Sequence, residues 1–288
     1  MGREGHKNRF ISEGEVPMGM SDNIISTVNY LAHKKFCLFE ENGNVVDLDF
    51  LGPEALRYTE SGSVDKHAPF SVVCGYRAYS PREHIYFLDL VVSHGSTKSV
   101  SVILDTVDSI ATIITAVLPT AEKMSIPLID RAKYNLPLTA VNLEIRHAKI
   151  NAPFSPATKR HMETSDLIGK RILFSYSASG SYEHIYLNRD FYCWHCIEGS
   201  AKGLSDTDRC YYLKIAEYLY CFIWIEKIIP TLGVVLEDLD VMRTYGKLYG
   251  YDSYETGEVS NFAIGSYAAF LNQTEYPESK SIFGTNAF

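Results

Sequence analysis

Along most of the chain, apolar and polar residues alternate in short runs cut by Gly, Asn, Ser and Pro. A period of two places successive side chains on opposite faces of an extended strand. The clearest case is a hairpin over 34–50, in which Lys35-Phe36-Cys37-Leu38-Phe39 and Val45-Val46-Asp47-Leu48-Asp49-Phe50 flank Glu40-Glu41-Asn42-Gly43-Asn44. Asn42-Gly43 predicts a tight primed turn, with positive φ at both positions. Further strands are predicted over 70–79, 83–93, 98–106 and 110–118, with a turn at Ser93-His94-Gly95-Ser96, and then over 171–178, 181–188, 190–197, 209–216 and 218–228. Pro119, Pro127, Pro137, Pro153 and Pro156 punctuate a connector with one extended piece at 138–150. Beyond about 236 the pattern predicts a short helix over Glu237-Asp238-Leu239-Asp240-Val241-Met242-Arg243, then loops rich in Gly and Tyr. Strands in series with no helices between them predict an all-β chain of antiparallel barrels or sandwiches.

The pattern also repeats. Tyr79-Ser80, Glu83-His84-Ile85-Tyr86 and Leu118-Pro119-Thr120 recur in order as Tyr176-Ser177, Glu183-His184-Ile185-Tyr186 and Ile229-Pro230-Thr231, which predicts an internal duplication. The expected organisation is a polar arm over 1–30, an N-terminal barrel over 31–120, a connector over 121–165 and a C-terminal barrel over 166–288.

Composition narrows the class. The 288 residues are 46% apolar and 22% charged, and the net charge is −8 without any Lys/Arg-rich run, so nucleic acid and anionic membrane have no electrostatic footprint. No apolar stretch reaches the ~18 residues of a spanning helix. The polar N-terminus and six cysteines at no framework spacing predict a soluble cytoplasmic protein with reduced thiols. Cys193-Trp194-His195-Cys196 would send its two sulfurs to opposite faces of a strand, and no second CxxC accompanies it, so no metal is expected. P-loop, dinucleotide, nucleophile-elbow and zincin motifs do not occur, so no cofactor is expected either.

The chain holds 20 Tyr and 14 Phe, which suits strands around a pocket with apolar walls and polar handles. Period two places Tyr182, His184 and Tyr186 on one face, a pairing that His84 and Tyr86 repeat. It places Tyr192, Trp194 and Cys196 on the next strand opposite to Phe191, Cys193, His195 and Ile197. On a later strand it aligns Tyr220, Phe222, Trp224 and Glu226. A carboxylate on so aromatic a face is desolvated and suited to proton transfer. The expected catalytic set is therefore His184, Tyr186 and Glu226. Tyr176 and Tyr212 would orient the substrate, Trp194 and Trp224 would wall the pocket, and Tyr182 and His195 would also bind the substrate. Glu217 is a weaker pocket carboxylate, and Arg243 a weaker guanidinium clamp for a substrate carboxylate. The expected function is a cofactor-independent lyase or isomerase acting on a small, partly apolar substrate. The alternative is a non-catalytic carrier of such a molecule, and in a third reading the first barrel braces the second or builds a homodimer.

From Leu167 onward, Gly169-Lys170-Arg171-Ile172-Leu173-Phe174-Ser175-Tyr176, Tyr182-Glu183-His184-Ile185-Tyr186-Leu187-Asn188 and Asp206-Thr207-Asp208 resemble the C-terminal domain of the MoaF-like family. Glu226-Lys227, Ile229-Pro230, Asp238-Leu239, Met242-Arg243, Gly246 and Gly250-Tyr251-Asp252 add to the match, and 70–120 resembles that family's N-terminal domain. The resemblance implies two lipocalin-like (calycin) barrels. The second half is more loosely similar to phenolic acid decarboxylases, with Phe174-Ser175-Tyr176 and Glu217 near that family's Tyr pair and Glu. It departs from them in carrying Phe174 for the first Tyr, and Trp194-His195 where an Arg would stand.

Overall fold

The computed structural model describes Met20 and residues 22–62, 69–92, 97–252 and 258–276. The first barrel closes through β1 (Lys35–Glu40), β2 (Val45–Phe50), β3 (Ala55–Ser61), β4 (Phe70–Arg82), β5 (Ile85–Val91), β6 (Lys98–Asp105), β7 (Ile110–Val117) and β8 (Asn142–Ile150), with β8 pairing back onto β1. Two short helices, α1 (Ala121–Met124) and α2 (Leu128–Lys133), lie between β7 and β8. The two-residue β9 (Met162–Glu163) adds to the second barrel, which is formed by β10 (Lys170–Ser177), β11 (Gly180–Tyr186), β12 (Phe191–Glu198), β13 (Ser205–Ala216), β14 (Leu219–Glu226), β15 (Thr231–Asp238), β16 (Arg243–Tyr251) and β17 (Val259–Gln273). Pairing of β12 with β13 and of β10 with β17 completes this ring. The chain is thus two closed eight-stranded antiparallel barrels.

Several elements differ from the sequence pattern. The extended piece expected in the connector is β8, the closing strand of the first barrel, which therefore ends at 150 rather than 120. The expected helix at 237–243 is instead the end of β15, a turn and the start of β16, because Glu237 and Asp238 continue the ladder against Thr244 and Arg243. The first hairpin forms in register, but only Gly43 has positive φ (86°), and Gly43 N donates to Glu40 O (3.0 Å). That geometry is a three-residue loop ending in a left-handed glycine rather than a two-residue primed turn. Most of the expected arm, and the turn at Ser93–Ser96, lie outside the described residues. The described part of that arm is anchored: Asn23 N donates to Tyr176 O (3.2 Å) and Val28 N donates to Ala78 O (2.8 Å), and Leu31, just beyond it, is buried in the first core.

The duplication is legible in strand order and in turns. Both fourth-to-fifth strand turns use one non-glycine residue at positive φ, His84 (68°) and Tyr218 (57°). Both sixth-to-seventh turns begin on an aspartate that caps two backbone amides. Asp105 Oδ1 accepts from Val107 and Asp108 N (2.9 and 3.0 Å), and Asp238 Oδ1 from Asp240 and Val241 N (3.1 and 3.4 Å). Both end on a residue at positive φ, Ser109 and Met242. The tetrapeptide is not part of this correspondence: 83–86 straddles a fourth-to-fifth strand turn, whereas 183–186 ends a second strand.

β6, β7, β14, β15 and β16 are buried on both faces, one toward their own barrel and one toward the other. The shared core joins Phe87, Ile103 and Ile114 of the first barrel to Leu213, Ile223, Val234 and Tyr249 of the second. Within it sits an ion cluster. Lys247 Nζ donates to Asp89 Oδ1 and Ser99 Oγ (2.6 Å each), Arg77 Nε to Asp89 Oδ2 (2.9 Å), and Asn261 Nδ2 to both Asp89 oxygens (3.1 and 3.2 Å). Burial works to raise the Asp89 carboxyl, but Lys247 and Arg77 outweigh it and hold the group below its ordinary value. A bidentate Arg82–Asp238 pair (2.8 and 2.7 Å) adds a second link between the barrels.

The first barrel is filled. Inside its wall Leu38, Leu48, Phe50, Leu88, Val102 and Ile113 pack together. One end is plugged where Arg146 Nη1 donates to Glu40 (2.6 Å) and Glu60 (3.0 Å), and Arg146 Nη2 to Thr115 Oγ1 (3.1 Å).

Asp89→Asn leaves the buried Lys247 ammonium and Arg77 without their counter-charge, and is expected to cost on the order of 3–5 kcal/mol in urea unfolding. Asp49→Asn, in the exposed Lys35–Asp49 pair (3.1 Å), should cost less than about 1 kcal/mol. Equal costs would mean that the cluster does not hold the barrels together.

Candidate functional site

The second barrel is filled mainly by rings, with Ile172, Val235, Leu248 and Ile264 between them. Tyr186, Tyr192, Tyr212, Phe174 and Phe222 are all buried. Tyr212, Phe222 and Trp224 form a stacked series along the barrel, with centroids 5.6 and 5.3 Å apart and planes within about 20°. Trp224 fits because its cross-strand partner is Gly233: a Cβ there would lie 2.2 Å from the indole ring.

At the end of the barrel where the β12–β13 and β14–β15 connections lie, the filling stops and a cavity of about 110 Å³ remains. That is several times the room one water needs. Tyr176, Tyr182, His184, Tyr192, Trp194 and Trp224 form its aromatic wall, and Asp206, Asp208 and Glu226 its acidic part. The rings are contiguous, with centroid distances of 6.0 Å for Tyr176–Tyr182, 6.3 Å for Tyr182–Trp194, 5.2 Å for His184–Tyr192 and 6.1 Å for Tyr192–Trp224.

His184 is 4% exposed, packs against Phe174, Tyr186, Tyr192, Phe222 and Trp224, and has an Nδ1 without a hydrogen-bond partner. Burial alone pushes its pKa down to about 3, so the ring is a neutral imidazole at physiological pH. Trp194 Nε1 donates to Asp208 Oδ2 (3.0 Å), and Trp224 Nε1 to Glu226 Oε1 (3.3 Å). Lys227 Nζ reaches Asp206 (2.5 Å) and Asp208 (3.2 Å). Burial raises the Asp208 carboxyl, with Lys227 pulling against it.

The residues singled out by sequence separate into two groups. His184, Glu226, Tyr176, Tyr182, Trp194 and Trp224 line the cavity. Tyr186 and Tyr212 lie in the core beside it, and Tyr186 Oη donates to Glu237 Oε1 (2.5 Å). His195 points outward, half-exposed, with Nδ1 3.3 Å from Glu183, which Arg171 also holds. Glu217 is exposed in the β13–β14 turn and pairs with Lys214. Arg243 lies over the Tyr267 ring (4.0 Å) and donates to Asn23 O (2.8 Å), away from the cavity. Cys193 and Cys196 sit on opposite faces of β12, as the strand period requires.

Three acidic residues escaped the sequence reading. Asp206 and Asp208 share a strand face with Cys210 and Tyr212, so the period of two carries the signal that turns them inward. Glu237 was hidden by its assignment to a helix. It is 0% exposed, and burial raises its pKa to about 8 against the opposing hydrogen bond from Tyr186.

These two groups set opposite pH limits on stability. Glu237 has a raised folded pKa, so its protonated form is favoured by folding. The stability it contributes is complete below about pH 4.5 and lost as pH rises toward 8. His184 has a depressed folded pKa, so stability is lost as pH falls from about 6.5 toward 3. Glu237→Gln should remove the alkaline slope and His184→Phe the acid slope, each on the order of 5 kcal/mol across its window in urea titrations. Variant and parent curves that stay parallel would refute the assignment.

Two family models match the chain, the MoaF N-terminal domain over residues 8–120 and the MoaF C-terminal domain over residues 161–274. Protein MoaF of Klebsiella aerogenes is 35% identical over 268 residues, covering 93% of this chain and 95% of that protein. A crystal structure described as that of a "putative beta-lactamase" from Burkholderia vietnamiensis aligns over 38% of this chain and 100% of its own, at TM-score 0.33 and 10% identity, too distant to carry an argument. With both domain models matched in order and a relative aligned over nearly its whole length, the chain belongs to the MoaF family.

Proposed function

We propose that the second barrel is a binding site for one small, partly apolar molecule, and that the first barrel braces it. The observation that carries this reading is the interrupted core. The aromatic filling of an otherwise packed barrel ends at a contiguous ring-lined cavity whose polar groups converge from several strands. Leaving His184 buried there with an unpartnered Nδ1 costs stability that a well-filled core would avoid.

Binding is favoured over lyase or isomerase chemistry by the state of the expected acid–base set. His184 and Glu226 reach the cavity, but Tyr186 is tied to Glu237 in the core. A histidine with a pKa near 3 is also far from the value at which a general base works best near neutral pH.

The chain's two tryptophans, Trp194 and Trp224, both line the cavity, so its intrinsic indole fluorescence reports on that site. Titration with benzyl alcohol, benzoate, benzylamine and their cyclohexyl counterparts should give a saturable fluorescence change with at least one of them. Ala201→Phe and Leu204→Phe, which add bulk at the cavity rim, should each abolish the change while the far-ultraviolet circular dichroism stays that of the parent. No saturable response from any compound, or a response that survives both blocking variants, would overturn the reading.

A further inference from the structure

On the reading that this cavity takes one small, partly apolar ligand, we propose that the ligand carries a hydroxyl on its ring or hydrocarbon body, and that His184 is the residue that receives it. What points to a hydroxyl is the division of the wall into polar groups that already have partners and one that does not.

The carboxylates at the cavity are engaged by the protein itself. Trp194 Nε1 donates to Asp208 and Trp224 Nε1 to Glu226. Lys227 Nζ pairs with Asp206 and Asp208, and Lys227 N adds a bond to Asp208 Oδ1 (3.2 Å). The Tyr182 hydroxyl is set against the thiol of its cross-strand partner, Cys196. His184 differs from all of these. Among the described residues that line the cavity, it alone has a buried polar atom without a hydrogen-bond partner. Its partners in the ladder are Ile172 on β10 and Trp194 on β12, and its nearest rings are Phe174, Tyr192 and Phe222, with centroids 4.7, 5.2 and 5.7 Å away. A phenylalanine there would pack against the same rings without the cost of an unmade hydrogen bond.

The chemistry of the missing partner follows from the state of the ring. Burial pushes the His184 pKa down to about 3, so at neutral pH one nitrogen is a donor and the other an acceptor. A hydroxyl donates and accepts, and so bonds the imidazole whichever nitrogen carries the hydrogen. An ether or a carbonyl only accepts, and a hydrocarbon does neither. Tyr176 and Tyr192 bring phenols to the same wall, and burial holds both far above the ordinary phenol range, so they stay protonated and can bond a ligand hydroxyl in either sense. The rest of the ligand meets rings, which sets its apolar part.

The test compares benzyl alcohol with ethylbenzene, which matches it in shape and lacks the hydroxyl, by calorimetry at neutral pH on the parent and on His184→Phe. The variant keeps a ring and removes the hydrogen bond. It should weaken benzyl alcohol about tenfold and leave ethylbenzene as tight or tighter, a difference from which the unequal hydration of the two compounds cancels. The parent gives a second readout that needs no variant to fold: the His184 imidazole nitrogen resonances should shift on saturation with benzyl alcohol and stay in place with ethylbenzene. An equal effect of His184→Phe on both compounds, or His184 resonances that benzyl alcohol leaves unmoved, would overturn the hydroxyl assignment and leave the pocket reading standing. So would binding of benzylamine or benzoate, abolished by Ala201→Phe, with none of benzyl alcohol. Failure of all four compounds to bind would overturn both.

Discussion

A closed barrel of eight strands has an interior only wide enough for one column of side chains, or for a shorter column and one small ligand. Everything distinctive about this chain follows from meeting that constraint differently in its two halves. In the first barrel, aliphatic residues fill the middle and the Arg146–Glu40–Glu60 network plugs an end. In the second, the column is made of rings. The Tyr212–Phe222–Trp224 series needs Gly233 to leave room for its last member, and above it the column gives way to a cavity. Large flat side chains fill a narrow tube in steps, and a column that ends one ring short leaves a space of ligand size.

The outer surfaces bear on the same economy. A barrel with a hollow end has fewer internal contacts to hold it, and the second barrel gains support by burying the outer faces of β14, β15 and β16 against the first. The Lys247–Asp89–Arg77–Asn261 cluster fixes the register of that contact, since each partner is costly to bury alone. The two halves thus meet one constraint with one topology, one filled along its length and one left open at an end.

Period two made the inward face of the second barrel legible strand by strand: Tyr182 with His184, Tyr192 with Trp194, and Phe222 with Trp224 all fall inside as the alternation says. It was silent where alternation vanishes. β15 and β16 are buried on both sides and interrupted by Gly233, Gly246 and Gly250, so they read as helix and loop. Gly246 is required there by close approach to Val234 and Val235 rather than by any turn. The extended piece at 138–150 is legible as a strand, but it follows a proline-rich excursion, and only closure of the ring shows that it belongs to the first barrel as β8. Candidates chosen by residue type alone, Arg243, Glu217 and His195, all lie away from the cavity. Depth within a barrel and contacts between barrels are properties of the assembled fold, and local pattern does not encode them.

The central claim is that the space above Trp224 is where this protein receives its ligand. A crystal structure of the protein saturated with benzyl alcohol tests it most directly. The account predicts the ring seated against His184, Tyr192 and Trp224. Density for benzyl alcohol only elsewhere on the protein, with the Trp224 cavity unchanged, would contradict it.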